Sequence, residues 1–154
     1  KDLVVQEYSL DELIRESIRK YAPQFIHRKL RVQYEPSNLR VVTDKKWFGC
    51  ILDQLLSNAI KYTPQGSIHI EVTPEGIVKV SDTGIGIAPE DIPRIFDKGY
   101  TGINGRGGSK SSGLGLYLCK KAAKLLTIDI RVESEVGKGT TFLLNMKQGK
   151  KLYD

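Results

Sequence analysis

The chain has 154 residues, a length suited to one domain built on one core. It is 40% hydrophobic and 27% charged, which excludes a low-complexity or largely disordered chain. Its net charge of +6 admits nucleic acid, anionic lipid or a nucleotide as partner, but no basic run alternates with aromatics, so a nucleic-acid groove has little support.

In chain order, "LVVQEYS" (3–9) predicts a short strand. Ser9 is placed to cap the next segment, and Glu12 completes a capping-box pattern. Leu10, Leu13, Ile14, Ile18 and Tyr21 follow helical spacing, with Pro23 either bending or ending the helix. "LRVQYE" (30–35) and "LRVVT" (39–43) read as strands joined through "PSN". Thr43 or Asp44 then caps a second helix over 45–63. "GSIHIEVT" (66–73) and "GIVKVSD" (76–82) alternate apolar with polar residues and form a hairpin across "PEG". "APEDIPRIF" (88–96) suggests one or two helical turns. Residues 97–112 are rich in Gly and Ser, with almost nothing to bury. A third helix over 113–126 precedes a closing hairpin, "IDIRVESE" (128–135) and "GTTFLLNM" (139–146). Three long helices and six or seven strands, mostly hairpin-connected, predict an α/β two-layer sandwich: a mixed, mostly antiparallel sheet with the helices on one face.

Cys50 and Cys119 sit in apolar helical patterns and read as two reduced core thiols. His27 and His69 stand alone in the sequence and read as surface or satisfied residues. No apolar run is long enough to span a bilayer. The start at Lys1, without methionine, fits a piece of a longer protein whose membrane anchor lies elsewhere.

Three stretches carry candidate chemistry. On the second helix, Gln54, Asn58 and Lys61 or Tyr62 recur on one face of an otherwise apolar cylinder. Two readings fit: a polar stripe satisfied by its neighbours, or the wall of a site. In the second, Asn58 offers Mg²⁺ a neutral oxygen and Lys61 offers phosphate a point charge. The second stretch is "SDTGIGIAP" (81–89). Asp82 ends a strand as an acceptor suited to an exocyclic amine, and Gly84 and Gly86 allow close approach or positive φ. A tight turn capped by Asp82 fits equally well. A dinucleotide fingerprint fails because position 89 is proline, and a Walker loop fails because Gly-Lys-Ser/Thr is absent. The third stretch, "DKGYTGINGRGGSKSSGLGLYL" (97–118), brings Lys98, Arg106 and Lys110 to a glycine-rich loop. Ser111 and Ser112 follow, and the loop enters a helix at Gly113 and Gly115. Free N–H groups at a helix start suit phosphate.

In combined order and spacing, "LLSNAIKYT" (55–63), "DTGIGI" (82–87), "IFDKGYTG" (95–102) and "GLGLYL" (113–118) resemble the N, G1, F and G2 boxes of bacterial sensor histidine kinases. "GKGTTF" (137–142) resembles their further glycine box. The resemblance implies the Bergerat fold over 1–148, an ATP lid at about 97–112 and a basic tail at 149–154. It also implies ATP and Mg²⁺ as ligands, with Asn58 as the metal ligand and Lys61 on phosphate. Gln54 stands where ATP-hydrolysing relatives hold a glutamate. Glutamine cannot act as a general base, which favours phosphoryl transfer over hydrolysis. Asp82 matches the adenine-amine acceptor, Gly84 and Gly86 the glycines against the base, Tyr62 an aromatic beside it, and Phe96 the lid hinge. Ile87, Lys98, Tyr100, Thr101, Arg106, Lys110, Ser112, Gly113, Leu114, Gly115, Leu116 and Thr141 fall in the nucleotide-contacting boxes.

The implied reaction is transfer of the ATP γ-phosphoryl group to a histidine on a separate dimerisation segment, with a response regulator downstream. The expected setting is the cytoplasmic part of a membrane-anchored sensor. The lid and G2 box look most like Gram-positive kinases that sense peptide antibiotics. Two alternatives remain: a stand-alone anti-sigma-type serine kinase, and a non-catalytic ATP-gated interaction module.

Overall fold

The computed structural model describes residues 2–101 and 113–146. Strand β1 (Val5–Ser9) leads into helix α1 (Leu10–Arg28), where the Ser9 hydroxyl accepts the Glu12 N–H as the capping pattern predicts. Pro23 does not end α1. The helix runs one turn further because Phe25 is buried in the core, and it stops at Lys29, whose φ of 58° is left-handed.

Strands β2 (Arg31–Tyr34) and β3 (Arg40–Asp44) are adjacent in sequence but enter different sheets. Strand β3 pairs antiparallel with β1, while β2 pairs parallel with β4 (Ser67–Val72). The cause lies on α1. The buried Asp11 carboxylate accepts the N–H groups of Ser37 and Asn38, at 2.8 and 2.7 Å, and the Tyr34 hydroxyl. Asn38 adopts a φ of 61°, so the connection turns around Asp11 instead of folding into a hairpin. Burial pulls the Asp11 pKa up, but the bonds from Tyr34, Ser37 and Asn38 outweigh it and hold the carboxyl below its ordinary value.

Helix α2 (Lys45–Lys61) is capped by Asp44, which accepts the Trp47 N–H and also the Val4 N–H. Strand β5 (Ile77–Asp82) pairs antiparallel with β4, as expected from "PEG". A single 3-10 turn, Ile92–Arg94, follows. Helix α3 (Gly115–Leu125) and the β6–β7 hairpin (Asp129–Glu135, Gly139–Asn145) complete the chain. The larger sheet has the order β2-β4-β5-β7-β6, and every pairing in it except β2–β4 is antiparallel.

The two sheet faces follow the period of two. Ile68, Ile70, Val78, Val80, Ile130, Phe142 and Leu144 are buried beneath the helices. Lys79, Ser81, Leu143 and their neighbours stand on the outer face. Helix α2 is the central packing element: Phe48, Ile51, Leu52, Leu55, Leu56, Ala59 and Ile60 are all buried. The cysteines differ from the two-core-thiol expectation. Cys119 is buried, its thiol pushed up to about 12 by desolvation, whereas Cys50 is exposed. No described helix is long and apolar enough to cross a membrane.

Candidate functional site

The polar face of α2 is real. Gln54 is exposed, while Asn58 and Lys61 are half-buried, opposite the apolar face that fills the core. Among the described residues the Asn58 side chain makes no hydrogen bond, while its main-chain carbonyl accepts the Tyr62 N–H at 3.1 Å. A half-buried amide with its oxygen uncommitted suits a cation that takes one neutral side-chain ligand and completes its shell with phosphate and water. The Lys61 ammonium lies 5.6 Å from the centre of the Tyr62 ring.

The end of α2 meets the turn after β5. The Ile85 N–H bonds the Tyr62 carbonyl at 3.0 Å. A Cβ on Gly84 would stand 2.1 Å from that same oxygen, so no other residue fits without moving the helix end. Gly86, at a φ of +78°, abuts the Glu135 carbonyl, which a Cβ would approach to 2.2 Å. The two glycines were expected to allow close approach of a flat ligand or to supply positive φ, and Gly86 does the latter. The neighbours that exclude a side chain here are protein backbone. The lone Ile85 between them is 44% exposed and pinned on both sides, its carbonyl accepting the Gly137 N–H at 2.8 Å. Ile87 is a core residue whose N–H bonds the Ser134 hydroxyl at 2.8 Å.

Asp82 is shared between the two roles that its sequence left open. Its Oδ1 accepts the Gly84 N–H at 2.9 Å and the Thr140 N–H at 3.2 Å, which is a local cap and a cross-strand tie. Its Oδ2 has no backbone donor among the described residues. Desolvation raises the Asp82 pKa, and the Gly84 and Thr140 N–H groups and the Thr63 hydroxyl oppose the rise. Thr63 is fully buried, and its Oγ1 lies near this carboxylate without meeting the geometry of a hydrogen bond. A half-buried carboxylate beside a buried, unpartnered hydroxyl is a place prepared for a polar ligand or a water.

The third stretch closes the ring of contacts. The Gly99 N–H bonds the Gly113 carbonyl at 3.0 Å, joining the two ends of the glycine-rich segment. Gly113 has a φ of +75°, and a Cβ there would lie 2.4 Å from the Gly99 backbone. A Cβ on Gly115 would lie 2.3 Å from Gln54 Oε1, so the glycine leaves room for Gln54 at the start of α3. The Lys98 and Lys121 ammoniums both stand over the Tyr117 ring, at 5.7 and 5.6 Å. Phe96 meets Phe142 edge to face at 6.2 Å and carries Lys120 over its ring at 5.1 Å. The Tyr100 hydroxyl donates to Asp91, with the Arg94 guanidinium 4.5 Å from its ring centre. Thr101 and Leu116 are half-buried, and Leu114 is partly exposed. Arg106, Lys110 and Ser112, with most of the 97–112 loop and the 149–154 tail, lie outside the described residues.

One expected residue is misplaced. Thr141 pairs with Ser81 and bonds its hydroxyl at 2.9 Å on the outer face of the sheet, away from Asp82. The inward residue is Thr140, opposite Asp82. Ser134 supports it, its hydroxyl 2.8 Å from Thr140 Oγ1 and donating to the Gly139 carbonyl at 2.9 Å. Thr63, Ser134 and Thr140 were not singled out by the sequence reading. The signal for Thr140 lies in the neighbouring strand, where Val80 pairs with Phe142 and Asp82 with Thr140.

The family model described as "Histidine kinase-, DNA gyrase B-, and HSP90-like ATPase" matches residues 43–150. The sensor protein BceS of Halalkalibacterium halodurans is 40% identical over 146 residues, which cover 93% of this chain and 44% of that protein. The sensor histidine kinase GraS of Staphylococcus haemolyticus is 37% identical over 99% of this chain and 45% of its own. The chain thus spans about half the length of the curated relatives it matches. Among solved structures, the nucleotide-free catalytic domain of the histidine kinase ThkA superposes with a TM-score of 0.78 at 26% identity, covering 92% of this chain and 96% of that one. With the fold, the order of the boxes and the family model in agreement, the chain belongs to the histidine kinase-, DNA gyrase B- and HSP90-like ATPase family.

Proposed function

We propose that the chain binds Mg-ATP and transfers the γ-phosphoryl group to a histidine on a separate dimerisation segment of a sensor kinase, in two-component signalling. One observation carries this reading: contacts link all five boxes to one another. Asp82 meets Thr140, Gly84 meets Tyr62, Gln54 meets Gly115, Gly99 meets Gly113 and Phe96 meets Phe142. BceS and GraS, named as a sensor protein and a sensor histidine kinase, support it. The reading includes a response regulator as downstream partner and a place in the cytoplasmic part of a membrane-anchored sensor that responds to peptide antibiotics.

In this reading Asp82 accepts the adenine amine through Oδ2, and Thr63 orders the polar contact beside it. The adenine lies at the Tyr62–Ile85 side and the phosphates run toward Asn58 and the start of α3. Lys61 offsets phosphate charge, and Lys98 at the lid root adds to it. Magnesium, held by Asn58 together with the phosphates, would supply charge neutralisation for the transfer. The Gln54 amide is too weak a base to take a proton from water, so the attacking atom is the acceptor imidazole and not an activated water. The work left to the chain is positioning and electrostatic stabilisation.

The test is transfer from γ-labelled ATP to a supplied dimerisation segment carrying an acceptor histidine, with an anti-anti-sigma protein as the second acceptor. Acid-labile label on the histidine segment is expected. Acid-stable label on the second acceptor indicates a serine kinase. Nucleotide-dependent binding without label indicates a non-catalytic module.

A further inference from the structure

The outer face of the large sheet carries a second donor set, on the side opposite Asp82. Strands β2 and β4 run parallel, with Gln33 opposite His69 and Tyr34 opposite Ile70. That register and the period of two bring Glu35, His69 and Glu71 to one patch of the outer face. One ligand atom from each lies within 4.8 Å of the other two. His69 Nε2 is 3.0 Å from Glu35 Oε2. Glu71 is held loosely, its Oε2 3.7 Å from the Lys79 ammonium on β5.

We propose that Glu35, His69 and Glu71 bind a divalent transition-metal ion, with zinc as the best-matched member of the class. Two carboxylates alone would be an ordinary solvated face. The imidazole changes the chemistry, because nitrogen and oxygen donors together favour zinc and its neighbours over magnesium and calcium. The charges match: two carboxylates and a neutral imidazole balance a divalent ion. Three protein ligands leave a position for water, as in open zinc sites. Ligand atoms around tetrahedral zinc stand about 3.4 Å apart, so closing from the present spread takes side-chain rotation and no backbone shift. The backbone is already fixed. Two ligands alternate along β4, and the third extends β2, with the Glu35 N–H bonded to the Ile70 carbonyl at 3.2 Å. Lys79 is the built-in competitor and must release Glu71.

The bound ion would staple the edge strand β2 to β4. It would do so on the face opposite the nucleotide cleft, since His69 pairs with Ser81 while the next pair is Ile68 with Asp82. The site shares no residue with the proposed ATP pocket, so the two readings fail separately.

Titration of the nucleotide-free chain with zinc chloride, followed by calorimetry and thermal melting, tests the proposal. One ion per chain is expected, with a rise in melting temperature. His69→Ala should weaken binding at least tenfold, and Glu35→Gln and Glu71→Gln should each weaken it severalfold. His27→Ala and Cys50→Ser should leave it unchanged. Lys79→Ala should tighten it, a gain that no folding defect could mimic. Cobalt chloride should bind with visible absorption, and millimolar magnesium should not displace zinc. Absence of binding, insensitivity to His69→Ala together with Lys79→Ala, loss on Cys50→Ser, or displacement by magnesium would each overturn the site.

Discussion

Asp82→Asn separates the ligand role of this residue from its structural role. The two backbone donors, from Gly84 and Thr140, both address Oδ1, and an asparagine Oδ1 can accept them equally. The change falls on the second atom, where an acceptor becomes an NH₂ donor facing the donor of the base. A hydrogen bond to a charged acceptor is worth about 1.5–3 kcal/mol, so ATP affinity should fall roughly 10- to 150-fold. Stability should move the other way or not at all. Desolvation raises the folded Asp82 pKa, so the native state holds this proton more tightly than the unfolded chain. The charged form therefore costs stability, and the cost grows as pH rises from the unfolded value through the raised folded one. Asparagine removes that cost. Calorimetry with ATP and a melt of the nucleotide-free chain at neutral pH read the two effects. Affinity within twofold of the parent would refute the base-recognition role. A large loss of melting temperature alongside weaker binding would show that the carboxylate mainly holds the fold.

Other substitutions address other parts of the site. Asn58→Ala should lower affinity for Mg-ATP about tenfold while sparing metal-free nucleotide, and equal losses in calorimetry would argue against ligation. Gly113→Ala places a methyl against the Gly99 backbone at positive φ, and should cost at least about 1 kcal/mol and weaken ATP binding; an unchanged melt and affinity would contradict the tight lid root. Asp11→Ala removes the anchor of the β2–β3 connection, and should cost about 2–3 kcal/mol, or roughly 5–10 °C in melting temperature. The folded Asp11 pKa is lowered, so its stabilisation is present above the unfolded pKa and fades as pH falls through the folded one; the variant should lose less stability than the parent on acidification. Thr141→Val should leave ATP affinity unchanged, and a fall of more than threefold would return Thr141 to the pocket.

Elements with local signals were legible in the sequence. The apolar periodicity of α2, the cap at Ser9 and the hairpin at "PEG" each rest on residues within one or two turns of one another. The placement of β2 and β3 was not. It depends on Asp11 reaching Ser37 and Asn38 across more than twenty residues, and on a parallel partner, β4, that arrives only after β3 and α2 have intervened. Cys50 was misread because apolar spacing around a helix does not say which end of the apolar arc meets solvent.

The site was legible as a set of boxes and much less as a set of contacts. Its glycines illustrate the gap. Gly84 and Gly86 were read as allowing close approach or positive φ, and the atoms that exclude their side chains belong to Tyr62 and Glu135, each far away in sequence. The boxes therefore hold one another in place before any ligand arrives, which is how a cleft preorganises charge without large motions at its base. The two threonines of "GTTF" make the same point for orientation. Phe142, Leu143 and Leu144 are all apolar, so β7 alone carries no parity by which to choose between Thr140 and Thr141. Parity comes from β5, where buried Val80 faces Phe142, fixing Asp82 opposite Thr140 and Ser81 opposite Thr141. A residue's place in this pocket is thus set by the register of its neighbour strand, and motif position narrows the choice to two.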